Sequence, residues 1–284
     1  EMEKAFALDE TDARVYLELD QLKKRLNVAV KERWSDMEKH FDLVESRDDL
    51  YLEYVTLLNT LGEPEKALGL IKARKFHQWE GGEGKVAAQY LTALYQLAKA
   101  AVEKEDYAEA KELLLRAVGE YPHNLGEGKL ESGQENNLYY LLGLVQEKLG
   151  EAKDAFESLT RACCGESEPV GMMYYNDQPP EMIYYQGLAY RMLGEEEQAV
   201  RRFQKLVDYG REHIRDDVKI DYFAVSLPDL LIFEENLNER NRKHCLFMMS
   251  LGLKGLGRID EAEKCAEELL AMDNAHQEIR VHDL

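Results

Sequence analysis

Residues 94–122 read LYQLAKAAVEKEDYAEAKELLLRAVGEYP, and the spacing inside this stretch decides the fold. Leu94, Leu97 and Ala98 lie on one face of a helix. After Glu105, a second apolar stripe of Ala110, Leu114 and Ala117 runs at helical spacing, and Pro122 closes the unit. The same register recurs along the chain. Ala67, Ala110, Ala155, Ala199 and Ala262 are each preceded by five positions by Gly62, Glu105, Gly150, Gly194 or Gly257. Seven residues further upstream stand Val55, Ala98, Gly143, Gly187 and Ser250, and four residues after each alanine come Ile71, Leu114, Leu159, Phe203 and Ala266. A small residue in a first helix lets a second helix approach closely. Glycine ends the first helix by taking the left-handed conformation. The alanine then starts the buried stripe of the second helix, and the residue four on shares its face.

This pattern resembles the tetratricopeptide repeat, and residues 94–122 carry its signature including the closing proline. The stretches Tyr139–Ala162 and Ile183–Leu206 fit nearly as well; Leu246–Leu269 and Tyr51–Arg74 fit less closely. Residues 8–45 show helical periodicity at Val15, Leu19, Leu22 and Leu26 without matching the template, as a solenoid end would. The resemblance implies an all-α fold, a right-handed superhelix of helix–turn–helix repeats with long insertions between them. The expected organisation is a single repeat domain over 1–284. Capping helices occupy 1–45, repeats with inserts 46–207, a long insertion 208–243, a last repeat 244–276 and a tail 277–284.

The alanines are separated by 43, 45, 44 and 63 residues, against a usual unit of about 34. The surplus falls between the second helix of one unit and the first of the next, which brings the inserts to one side of a solenoid. Gly-Glu-Gly-Lys occurs at Gly82–Lys85 and again at Gly126–Lys129, one unit apart. The third insert carries Tyr174, Tyr175, Asn176, Asp177, Gln178, Pro179 and Pro180; the fourth carries Asp221, Tyr222, Pro228 and Asp229. On Trp79–Lys85, Asn124–Leu130, Tyr174–Ala189 and Val218–Leu230, the chain looks like uncharacterised bacterial tetratricopeptide proteins whose repeats follow an N-terminal domain of unknown function. That resemblance spans about residues 10–276 and implies the C-terminal part of a longer polypeptide. It carries no assigned activity and no catalytic residues.

Lys and Arg number 36 against 56 Asp and Glu, a net charge of −20. That field has the wrong sign for nucleic acid or an anionic membrane surface, which need Lys and Arg. Its plainest use is to keep a long solenoid soluble. Cys163, Cys164, Cys245 and Cys265 show no Cys-x-x-Cys spacing, so buried or idle thiols in a reducing, cytoplasmic setting are expected. No apolar run reaches a membrane-spanning length and no signal peptide is visible, although a start at Glu1 leaves a missing leader open. His213, His244, His276 and His282 are scattered without metal-ligand spacing and read as surface or incidental residues.

Candidate contact residues concentrate in the inserts: Trp79, Glu83, Lys85, Asn124, Glu127, Lys129, Tyr175, Asn176, Asp177, Gln178, Asp221, Tyr222 and Asp229. The tetrads are not phosphate loops, since Val86 and Leu130 stand where Ser or Thr is needed. Each leads towards a helix, whose free amides with Lys85 or Lys129 can hold an anion. The competing reading is structural: glycines for turns, glutamates as helix caps. Tyr174, Tyr175, Asp177, Gln178, Tyr184 and Tyr185 mix aromatic faces with fixed polar groups, which suits a sugar or a peptide. They equally suit packing between units. The expected function is non-enzymatic binding of a peptide, a protein or an N-terminal domain of the same polypeptide, with carbohydrate or an anionic sugar as the alternative. No cofactor or metal is expected.

Overall fold

A computed structural model describes residues 1–79, 81–129, 134–171, 177–219 and 236–282, and every regular element among them is helical. In chain order these are α1 (Met2–Leu8), α2 (Ala13–Arg25), α3 (Val30–Lys39), α4 (Phe41–Ser46), α5 (Asp48–Thr60), α6 (Pro64–Ala73), α7 (Lys85–Glu103), α8 (Tyr107–Val118), α9 (Asn136–Lys148), α10 (Ala152–Ala162), α11 (Pro180–Met192), α12 (Glu196–His213), α13 (Leu237–Gly255), α14 (Ile259–Met272) and α15 (Gln277–Val281), with a 3-10 turn at His123–Leu125.

The corners obey the register of the sequence. Gly62, Gly150, Gly194 and Gly257 all take positive φ, between 74° and 80°, and Glu105 takes 59°. At every one, the following amide reaches the carbonyl five residues back: Glu63 to Leu58, Asp106 to Ala101, Glu151 to Gln146, Glu195 to Tyr190 and Arg258 to Leu253, at 2.9–3.0 Å. This closing bond satisfies a carbonyl at the helix end and fixes the direction of the next helix. Pro64 and Pro180 open α6 and α11 where a missing N–H costs nothing. Asp12, Asp106 and Asn236 cap α2, α8 and α13 with their side chains.

Two compact units divide the chain: Glu1–Leu97 with Glu120–Lys129 and Asp273–Leu284, and Ala98–Gly119 with Leu130–Met272. In the second unit, α9 pairs with α10, α11 with α12 and α13 with α14, while the first helices α9, α11 and α13 also lie side by side. That is the stacking of a helical repeat. Its small residues sit where the partner helix comes nearest. A Cβ on Gly143 would stand 2.7 Å from Leu159, and one on Gly187 2.4 Å from the Phe203 ring.

The first unit begins with helices that depart from the repeat. Val30, Arg33 and Met37 form the buried face of α3, so a charged residue stands among its apolar ones. Arg33 has a fully buried side chain; its Nε and Nη2 donate to Asp20 at 3.0 and 2.6 Å, and Nη2 also to Glu53 at 2.7 Å. Leu26, grouped by spacing with Leu19 and Leu22, is 69% exposed, because α2 ends at Arg25. Residues 277–281, expected as tail, form α15 against α5. The long insertion from 208 is partly helix: α12 runs on to His213 and α13 begins at Leu237. Pro228 lies outside the described residues.

Candidate functional site

The two glycine-rich inserts of the first unit dock on each other. Beyond α6, Arg74 donates to Asp48 at 2.6 Å and to the Glu45 carbonyl at 2.9 Å, and its guanidinium lies 4.4 Å above the Tyr51 ring. Phe76, 2% exposed, meets Tyr51 edge to face at 6.0 Å. Burial pushes the Asp48 carboxyl up, but the His77 amide and the Arg74 guanidinium outweigh it and hold Asp48 below its ordinary value. The first insert is thereby tied to α5 at its root.

The second insert closes over it. The Phe76 amide donates to the Asn124 carbonyl at 2.8 Å, while the Asn124 amide donates to the carbonyls of Ile71 and Arg74 at 2.8 and 2.9 Å. Asn124 thus serves the open C-terminal end of α6. Gly126 takes φ 78°, and a Cβ there would stand 2.7 Å from the Phe76 carbonyl oxygen. Glu127 reaches the start of α7: its two carboxylate oxygens accept from the amides of Gly84 at 2.7 Å and Ala87 at 2.9 Å. The anion position at that helix start is therefore filled by a glutamate of the second tetrad, and an incoming anion would have to displace it. Trp79 is half-buried and its ring covers Gly82, where a Cβ would come within 2.2 Å of it. Glu83 and Lys85 are exposed, and Lys129 is half-buried.

In the second unit, Asp177 is half-buried before α11, and Gln178 is 4% exposed with no hydrogen-bond partner for either amide atom among the described residues. Burial raises Tyr209, and Cys245, Asp216 and Asp177 add to the rise. Tyr184 and Tyr185 are core residues: their rings pack on each other at 5.4 Å, and Tyr184 also meets Phe203 at 5.7 Å. Tyr174, Tyr175, Asn176, Asp221, Tyr222 and Asp229 lie outside the described residues.

Burial pushes the Cys163 and Cys245 thiols up to about 12, far from the thiolate a nucleophile needs. Among the described residues no three His, Cys, Asp or Glu side chains gather as a metal-ligand group. Nor is any described helix long and apolar enough to cross a membrane.

The histidines correct the sequence reading. His282 is 6% exposed with its ring 5.6 Å from Tyr95, and His276 accepts the Ile279 amide through Nδ1 at 3.3 Å. His244 is half-buried, with Nε2 2.8 Å from the Val170 carbonyl. Sequence spacing carries no trace of these partners, which lie 74 to 187 positions away for His244 and His282. It also missed a polar ladder on the first helices of the first unit. There the Asn59 amide donates to Gln89 Oε1 at 2.9 Å, Gln96 donates to the Asn59 carbonyl at 3.1 Å, and Gln89 bonds Gln277 at 2.8 Å. The available signal was amides at Asn59 and Gln89 inside otherwise apolar helices.

Residues 92–124 and 181–209 match the tetratricopeptide repeat family model. These contain the two stretches built around Ala110 and Ala199. Among solved structures, MamA is 19% identical over 76% of this chain and 91% of its own, with a TM-score of 0.26. YrrB, described as a tetratricopeptide protein with an unusual peptide-binding site, is 17% identical over 87% and 98%, with a TM-score of 0.30. The tetratricopeptide domain of P58(IPK) is 18% identical over 99% and 69%, with a TM-score of 0.31. Residues 92–124 and 181–209 thus carry tetratricopeptide-type repeats, and the corner hydrogen bond found at Glu105 and Gly194 recurs at Gly62, Gly150 and Gly257.

Proposed function

We propose that the chain is a non-enzymatic scaffold whose repeats engage a segment of a protein partner, the contact being made in the first unit beside the paired inserts. The observation that supports this reading is the mutual docking of those inserts through Asn124 and Glu127. Their backbone is braced from both sides, so the loops present a fixed edge rather than a collapsing one, and binding then orders little chain. Trp79, half-buried, offers an aromatic face on the first insert, where Glu83 and Lys85 are exposed, and the second insert adds the half-buried Lys129. In a longer polypeptide, the partner can equally be a preceding domain of the same chain.

A peptide array or displayed-peptide selection against the whole chain tests this, followed by titration of the selected peptides. Saturable binding weakened roughly tenfold by Trp79→Ala, the usual scale for an aromatic anchor, agrees with the proposal. Thermal-shift screening in parallel with sugars and sugar phosphates covers the other ligand class. A shift with those, and no peptide selected, would replace the scaffold reading with a carbohydrate site in the same inserts.

A further inference from the structure

After α14 the chain returns to the first unit, and α15 settles on α5 through polar contacts as much as apolar ones. Gln277, 8% exposed, donates its amide to the Thr56 carbonyl, the Thr60 hydroxyl and Gln89 Oε1, each at 3.2 Å. In return its own carbonyl oxygen accepts from Gln89 Nε2 at 2.8 Å, a reciprocal amide pair. Ile279 and Val281 are each 6% exposed, and His282 lies against Tyr95. Upstream, Asn274 Oδ1 accepts the Val30 amide at 3.0 Å, and Asn274 Nδ2 donates to the Asn27 carbonyl at 2.8 Å.

A five-residue helix cannot hold itself together in water, so the docking face imposes its conformation. The polar part of that face is Thr56, Thr60 and Gln89, whose groups have water as an alternative partner. Removing the segment therefore strands no donor or acceptor on the face.

We propose that this face of α5 and α7 is a peptide-recognition surface, occupied in cis by residues 273–282 and open to a partner segment of the same pattern. The pattern is Asn, then Gln three residues on, aliphatic side chains two and four residues after the Gln, and a ring directly behind. The proposal rests on the scaffold reading and adds a second, self-occupied place with its own ligand chemistry. Tethering gives the resident segment an effective concentration on the order of millimolar, so a free competitor must be strong or the segment must be released.

The test uses a fluorescent peptide of residues 273–284 with the whole chain and its Ile279→Glu/Val281→Glu variant, which should release the segment. Expected is saturable binding of the peptide to the variant and binding at least about tenfold weaker to the unaltered chain. A Gln277→Ala peptide should bind the variant several-fold more weakly. If the variant keeps its helical circular dichroism and cooperative melting yet does not bind the peptide, the proposal is overturned. If the variant loses the fold of the first unit, the segment is a structural element and the proposal is equally overturned. Selected peptides that bind at the Trp79 edge in the same assay would leave the scaffold reading standing after either failure.

Discussion

Phe203 is held between two glycines. A Cβ on Gly187 of α11 would stand 2.4 Å from its ring, and one on Gly255 of α13 would stand 2.2 Å away. The ring is wholly buried, with the Arg191 guanidinium 4.9 Å above it. Glycine inside a helix usually gains stability on replacement by alanine, by up to about 1 kcal/mol. Here the added methyl meets an aromatic ring that has no room to retreat, so Gly187→Ala should instead destabilise by about 1–3 kcal/mol. Urea unfolding at constant m-value measures it. Glu105 presents the reverse case. It is the corner residue that is not glycine, at φ 59°, and left-handed backbone costs an ordinary side chain on the order of 1 kcal/mol. Glu105→Gly should raise the melting temperature by about 2–4 °C. A melting temperature that does not move would mean the local hydrogen bonds already compensate the strain.

At the scale of elements, the start of α7 depends on a residue more than forty positions away. Glu127 supplies the cap that the glycines Gly82 and Gly84 have no side chain to provide. Glu127→Ala should cost about 1 kcal/mol, the usual value of a lost helix cap. It should also speed hydrogen exchange at the Gly84 and Ala87 amides while leaving the corner at Gly150 untouched. The paired Gly-Glu-Gly-Lys tetrads were legible as a repeat, and both a cap and an anion slot were consistent with them. Their spacing along the chain could not show that the second tetrad serves the helix of the first. A capping bond in trans is a tertiary contact, and no periodicity records it.

Over the whole molecule, charge sets the response to acid. Burial raises Glu53, but Lys24 and Arg33 outweigh it and hold it down at about 2. Burial likewise raises Asp36, which its bonds to Lys23 and Tyr16 bring below the ordinary value, and Asp48 behaves similarly. Carboxyls with depressed folded values stabilise the fold above their unfolded values, near pH 4, and that stability is lost as pH falls through the folded ones. Asp20 works the other way, since its burial outweighs its bond to Arg33. Among the carboxyls away from full solvent exposure, three depressed against one raised predict a lower urea midpoint at pH 3 than at pH 7. Protonating the chain's many other acids adds strong positive repulsion in the same direction. An unchanged midpoint would show that these ion pairs form without net stabilisation.

The sequence by itself determined the helix pairs and their corners. Those five corners depend on neighbours within about a dozen residues, and local spacing of small, apolar and glycine positions marks each of them. It also marked residues 8–45 as foreign to the repeat, although the cause, a buried Arg33 between Asp20 and Glu53, appears only once three helices meet. Tertiary structure alone decided which polar groups are spent on the fold. Asn124 closes α6, Glu127 opens α7, and Gln277 and His282 lie buried rather than trailing as a tail. A hydrogen bond between distant segments leaves no pattern in either one, because each side chain must match a partner whose position exists only in the folded chain.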